Sequence, residues 1–87
     1  MSIFMGVGMF INKTKDGLNN LCGKNVYRLR KDMKISQRAL ADRLQLIGLD
    51  VDKNAIQRIE SGKRFVTDIE LSALAQIFET TLDELIK

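Results

Sequence analysis

Eighty-seven residues make one folded domain and leave no room for a second. Histidine, proline and tryptophan are absent and Cys22 is the sole cysteine, which excludes an internal disulfide and a His/Cys zinc site. The formal charge of +3 is unevenly spread: residues 24–64 hold eleven Lys/Arg against five Asp/Glu, whereas residues 65–87 hold one cation against five acids. A basic centre beside an acidic end suits a polyanion facing the middle of the chain, although a solvated mixed-charge surface accounts for the charge alone equally well.

No carboxylates or lysines gather in a pattern that suggests acid–base catalysis, so the chain reads as a non-enzyme with no cofactor and no metal. Cys22 reads as a small apolar side chain in a reducing cytoplasm. A chain of this size buries only about 60% of its unfolded surface, so its stability is modest or shared with a partner subunit.

Residues 1–18 are expected to form an arm, flexible or partner-bound, ahead of a domain at 19–87. The opening MSIFMGVGMFI is apolar, but no basic run precedes it and no small-residue cleavage site follows. Eleven residues cannot cross a bilayer as a helix, and no membrane association is expected. The Asn12-Lys13-Thr14 sequon has no meaning without a secretion route.

From about residue 19 the helical period takes over. Leu21, Cys22, Val26, Leu29 and Met33 recur at spacings of three and four, which predicts a first amphipathic helix. Ser36 can cap a second, whose buried face is Leu40, Ala41, Leu44 and Ile47, with Gly48 at its end. Asp52 is placed to cap a third over residues 53–61, closed by Gly62. Thr67 and Glu70 make a capping box for a fourth, with Val66 and Leu71 as its hydrophobic staple and Leu71, Leu74, Ala75 and Phe78 as its apolar face. Thr81 and Glu84 repeat the box for a fifth carrying Leu82, Leu85 and Ile86. The expected fold is all-α: five short helices and no strand.

The third helix has an unusual outward face. On a wheel of about 100° per residue, Ala55, Ile56 and Ile59 form a compact apolar arc, while Lys53, Asn54, Gln57, Arg58 and Ser61 fall opposite. Arg and Lys can donate two bonds to guanine O6 and N7, and Asn and Gln can pair at two points with adenine. Lys63 and Arg64, just past the helix, better suit phosphate oxygens. A solvated surface helix has equal standing on the wheel alone.

Three stretches, LRKDMKISQRALADRL (29–44), AIQRIESGKR (55–64) and LSALAQIFETTLDELI (71–86), add to this. Together they resemble the Cro and phage-repressor-like helix-turn-helix family, also called the xenobiotic-response-element family, over about three quarters of the chain. The resemblance implies a compact five-helix repressor-like domain that binds double-stranded DNA as a sequence-specific transcriptional regulator, a repressor above all. It places Gln37 against a phosphate and as a brace for the reading helix. Lys53, Asn54, Ala55, Gln57 and Arg58 take base-facing or groove-lining positions, and Ser61, Lys63 and Arg64 take backbone-holding ones. Arg30 and Glu60 match a structural ion pair between the first and third helices.

A homodimer is expected on paired half-sites, with the fifth helix and residues Ile3 to Ile11 as its surfaces; no small-molecule ligand is expected. The alternative is a protein-interaction module of the same fold, antitoxin-like or a co-regulator, acting through a protein partner. Three departures from the family stand out. The stretch LQLIGLDVDKN lengthens a very short turn by about four or five residues, and Lys34 and Glu79 stand where a helix-ending glycine is common. Those two ends are expected to close differently, because a left-handed non-glycine residue costs about 1 kcal/mol.

Overall fold

The computed structural model describes residues 13–87. They form α1 (Gly23–Asp32), α2 (Gln37–Leu46), α3 (Lys53–Glu60), α4 (Asp68–Phe78) and α5 (Leu82–Ile86), and no strand occurs among the described residues. The all-helical, five-helix architecture is the expected one. Residues Ile3 to Ile11 and Asn12 of the sequon lie outside the described range.

Polar side chains one residue ahead of each of the last four helices start them. Ser36 Oγ accepts the Ala39 N–H at 3.0 Å, and Asp52 Oδ1 accepts that of Ala55 at 2.8 Å. Thr67 and Glu70 close a full reciprocal box, with Glu70 N–H donating to Thr67 Oγ1 at 3.2 Å and Thr67 N–H to Glu70 Oε1 at 3.0 Å. Thr81 caps α5 through Glu84 N–H, but the Glu84 carboxylate turns to Lys87 Nζ at 2.8 Å, so that box is half made.

Helix ends follow one pattern. After α1, α2, α3 and α4 the chain passes through a left-handed residue (Lys34, Gly48, Gly62 and Glu79), and an N–H then reaches back five residues to a carbonyl of the helix's last turn. Lys34 at φ 59° and Glu79 at φ 52° adopt this conformation without being glycine. The expectation that these two ends close differently is therefore corrected. The bonds from Ile35 N–H to Arg30 O and from Thr80 N–H to Ala75 O keep the geometry despite the side-chain strain.

The core gathers Val26 of α1, Leu40 and Leu44 of α2, Ile56 and Ile59 of α3, Leu74 of α4 and Leu85 of α5. Burying a side chain of this size is worth about 1.5–3 kcal/mol, so the two isoleucines alone fix how α3 faces the body. Leu21, Met33 and Ile47 were expected in the core and are exposed. Leu21 precedes the first turn of α1, and Met33 and Ile47 are the terminal caps of α1 and α2, so none continues its helix's stripe. On α5 only Leu85 is buried, because a helix of little more than one turn has a single inward position.

The lengthened connection, residues 47–52, is ordered. Val51 is buried in the core, and Gln45 Nε2 donates to the Val51 carbonyl at 2.7 Å. This clasp holds α2 and α3 in a fixed relation across the added residues.

Candidate nucleic-acid interface

α3 presents two faces. Ile56 and Ile59 are fully buried, whereas Lys53, Asn54, Gln57 and Arg58 are exposed and make no side-chain hydrogen bond or ion pair among the described residues. Ala55 is half-buried and packs against the core, as its place on the wheel implies. The helix ends at Glu60, one residue earlier than expected. Ser61 is its C-cap, exposed, with its hydroxyl donating to the Arg58 carbonyl at 3.2 Å.

Behind this face lies a buried polar junction. Arg30 of α1 donates through Nε to Glu60 Oε2 at 2.6 Å and through Nη2 to Oε1 at 3.0 Å. Its remaining fork nitrogen, Nη1, donates to the Ile35 carbonyl at 2.9 Å, and Gln37 Nε2 adds a bond to Glu60 Oε1 at 3.0 Å. The two ionic side chains are 8% and 5% exposed, so water screens the pair little. Its hydrogen bond to Glu60 pushes the Arg30 pKa above an already high ordinary value. Gln37 thus links the first turn of α2 to the last turn of α3.

Beside the junction, Lys31, Lys34, Arg38 and Lys53 line one shallow depression together with Ser36 and Gln37. Sequence reasoning assigned only Gln37 and Lys53 of these to the interface. The visible signal was that Lys31 lies off the apolar stripe of α1. What gathers the others is the turn at Lys34, which is a tertiary arrangement.

The loop after α3 separates its two cations. Lys63 is exposed, with no side-chain partner among the described residues. Arg64 is engaged: its Nη2 lies 3.0 Å from Glu70 Oε2, and Nη1 makes further bonds to the same carboxylate at 3.2 and 3.3 Å. In this arrangement the Arg64 guanidinium braces the loop against α4.

The same loop is tied from the other side by residues that sequence reasoning left without a role. Asn20 Nδ2 donates to the carbonyls of Ile59 and Arg64 at 3.1 and 2.8 Å, while its Oδ1 accepts Gly23 N–H at 2.8 Å. Asn19 Nδ2 donates to the Lys63 carbonyl at 2.8 Å. Leu18 lies against Gly62, and Thr14 closes a turn with Leu18, so residues 13–18, expected in the arm, belong to the folded body. Gly23 is the tightest point, because a Cβ there would strike the backbone oxygen of Ile59.

Cys22 is buried, and burial pushes its thiol up to about 11, which keeps it protonated near neutrality. Among the described residues no cluster of His, Cys, Asp and Glu could hold a metal ion, and no helix is long and apolar enough to cross a membrane.

Two helices set across an ordered turn, the second buried by isoleucines and bare on its polar rim, define a helix-turn-helix protein. Residues 26–85 match the helix-turn-helix family model, and the chain belongs to that family, in its Cro and phage-repressor branch. It is a DNA-binding protein of the transcription-regulator kind. No curated protein and no solved structure matches the chain.

Proposed function

We propose that the protein is a sequence-specific repressor that lays α3 in the major groove of its operator. The observation that carries this reading is the outward set Lys53, Asn54, Gln57 and Arg58, side chains suited to base edges and free of other commitments among the described residues. Each well-formed two-point pair with a base is worth about 1–3 kcal/mol of discrimination. Ala55 borders the groove and suits a thymine methyl. Lys63, Ser61 and the depression of Lys31, Lys34 and Arg38 suit the flanking phosphates, with Gln37 between them.

Repression by occupying the site needs no catalytic group. One such helix reads only a few base pairs, so two copies on half-sites about 34 Å apart would supply useful affinity. Leu82 and Ile86, exposed on α5, are the surface proposed for that pairing. The acid-rich end of the chain gives the second reading, a module acting through a protein partner in the same cytoplasmic setting. A stoichiometric partner and no DNA affinity for the isolated chain would favour it.

The deciding experiment selects bound duplexes from a random pool and titrates the winner across a salt series. The expected result is one preferred sequence whose affinity falls linearly on a log–log salt plot. Absence of binding at low salt, or salt-independent binding, overturns the proposal.

A further inference from the structure

On α1, Lys24, Tyr27 and Lys31 follow one another at spacings of three and four, which sets them in one row on the helix surface. α1 packs against the reading helix, and two hollows border that contact. One, of about 250 Å³, is lined by Lys24 together with Ser61 and Gly62 at the end of α3. In the other, Lys31 stands with Lys53 at the start of α3. Glu60 lines the first hollow and Arg30 the second, so their ion pair forms the ridge between the two.

Tyr27 covers that ridge. Its ring centre lies 5.4 Å from the Arg30 guanidinium carbon and 5.6 Å from Lys31 Nζ. Arg30 is itself fixed by Glu60 and the Ile35 carbonyl, which holds the ring at a set place beside α3.

The row is chemically uncommitted. All three residues are exposed, Tyr27 at 49%, and none makes a side-chain hydrogen bond or ion pair among the described residues. Arg28, the next cation around the helix, differs: it bonds Asn25 Oδ1 at 3.4 Å and pairs with Asp32 at 4.0 Å. Of the two acids lining the hollows, Glu60 is already spent on Arg30 and Gln37, which leaves Asp16 at the margin of the first. Lys24 and Lys31 stand about 10 Å apart along the helix axis with a phenolic donor between them. Flexible ammonium groups and a lone hydroxyl suit the oxygens of a phosphodiester backbone better than the edges of bases.

We propose that Lys24 and Tyr27 join Lys31 in a phosphate-gripping row on α1, with the Tyr27 hydroxyl donating to a phosphate oxygen between the two lysines. The proposal rests on the reading that α3 enters a DNA groove. Because Tyr27 lies on Arg30, the ion pair that orients α3 also sets this row, and base contacts and backbone contacts share one register.

The test uses the full chain and the duplex selected from a random pool, titrated across a salt series and again with single phosphates replaced by uncharged methylphosphonates. Tyr27→Phe keeps the ring over Arg30 and removes only the hydroxyl. Its affinity should fall about three- to tenfold for every duplex, with base preference, salt slope and urea midpoint unchanged, because a neutral donor displaces no counterion. Lys24→Ala should flatten the log–log salt slope by about one. At least one methylphosphonate position should weaken the parent protein yet leave Tyr27→Phe no weaker than before. Binding of Tyr27→Phe at full strength would leave Tyr27 a mere lid on the ion pair and overturn the proposal. If both variants match a parent protein that binds in a salt-dependent way, the row is lost while the reading of α3 stands. A parent protein that binds no duplex overturns both.

Discussion

Arg30 holds both carboxylate oxygens of Glu60 across 30 residues of chain, and neither side chain is more than 8% exposed. Removing one partner of such a pair leaves a buried charge without compensation, at a cost of about 3–5 kcal/mol. Domains of this size are stable by roughly 4–13 kcal/mol, at about 0.05–0.15 kcal/mol per residue. Glu60→Ala should therefore lower the urea midpoint sharply, and a loss below about 1 kcal/mol would show that the junction does not hold α1 to α3.

Lys63 and Arg64 are neighbours with different commitments. Lys63→Ala should weaken binding to all duplexes about equally and flatten the log–log salt slope by about one, with unchanged stability. Arg64→Ala should leave that slope unchanged and destabilise the fold by about 1–2 kcal/mol, because it leaves the buried Glu70 carboxylate without its cation. Salt-dependent titration together with urea unfolding reads both effects; the reverse pattern would reassign the two residues.

Glu79 sits in the left-handed region at φ 52° and places an acid at the C-terminal end of α4, where the helix dipole disfavours it. Glu79→Gly should stabilise the protein by up to about 1 kcal/mol, the relieved backbone strain exceeding the added freedom of the unfolded chain. Lys34→Gly should stabilise similarly but weaken DNA binding, since it removes a cation from the basic depression. A falling melting temperature in Glu79→Gly would contradict the strain at that position.

The Cys22 thiol is pushed from an ordinary 9.0 up to about 11. Below pH 9.0 it is protonated folded and unfolded, and its titration costs no stability. As pH rises from 9.0 towards 11, the unfolded chain loses the proton first, so unfolding is progressively favoured, by about 2–3 kcal/mol at most. Cys22→Ala should start less stable and fall less steeply across that window. Parallel pH profiles for the two proteins, measured by denaturant unfolding, would remove the thiol from the account.

What could be foreseen from sequence was local. Ser36, Asp52 and Thr67 announce helix starts because a cap bonds only three residues ahead. Ile56 and Ile59 mark the inward side of α3 because they share one helical face. The missed features join distant segments: Asn19 and Asn20 reach residues 39 to 44 positions away, and no spacing rule carries that. Arg64 looked like any other loop cation until Glu70, already used as a cap, proved to face it. The capping rule also overreached at Glu84, where a nearby Lys87 competes for the same carboxylate.

The bare rim of α3 has a consequence for how this protein changes over time. Lys53, Asn54, Gln57 and Arg58 support nothing else in the described body, whereas Arg30, Gln37 and Glu60 support the helix from behind. On the proposed reading, new side chains at those four positions would alter which operator is chosen while leaving the stability of the fold nearly untouched, so descendants could acquire fresh targets by single substitutions without first passing through an unstable ancestor.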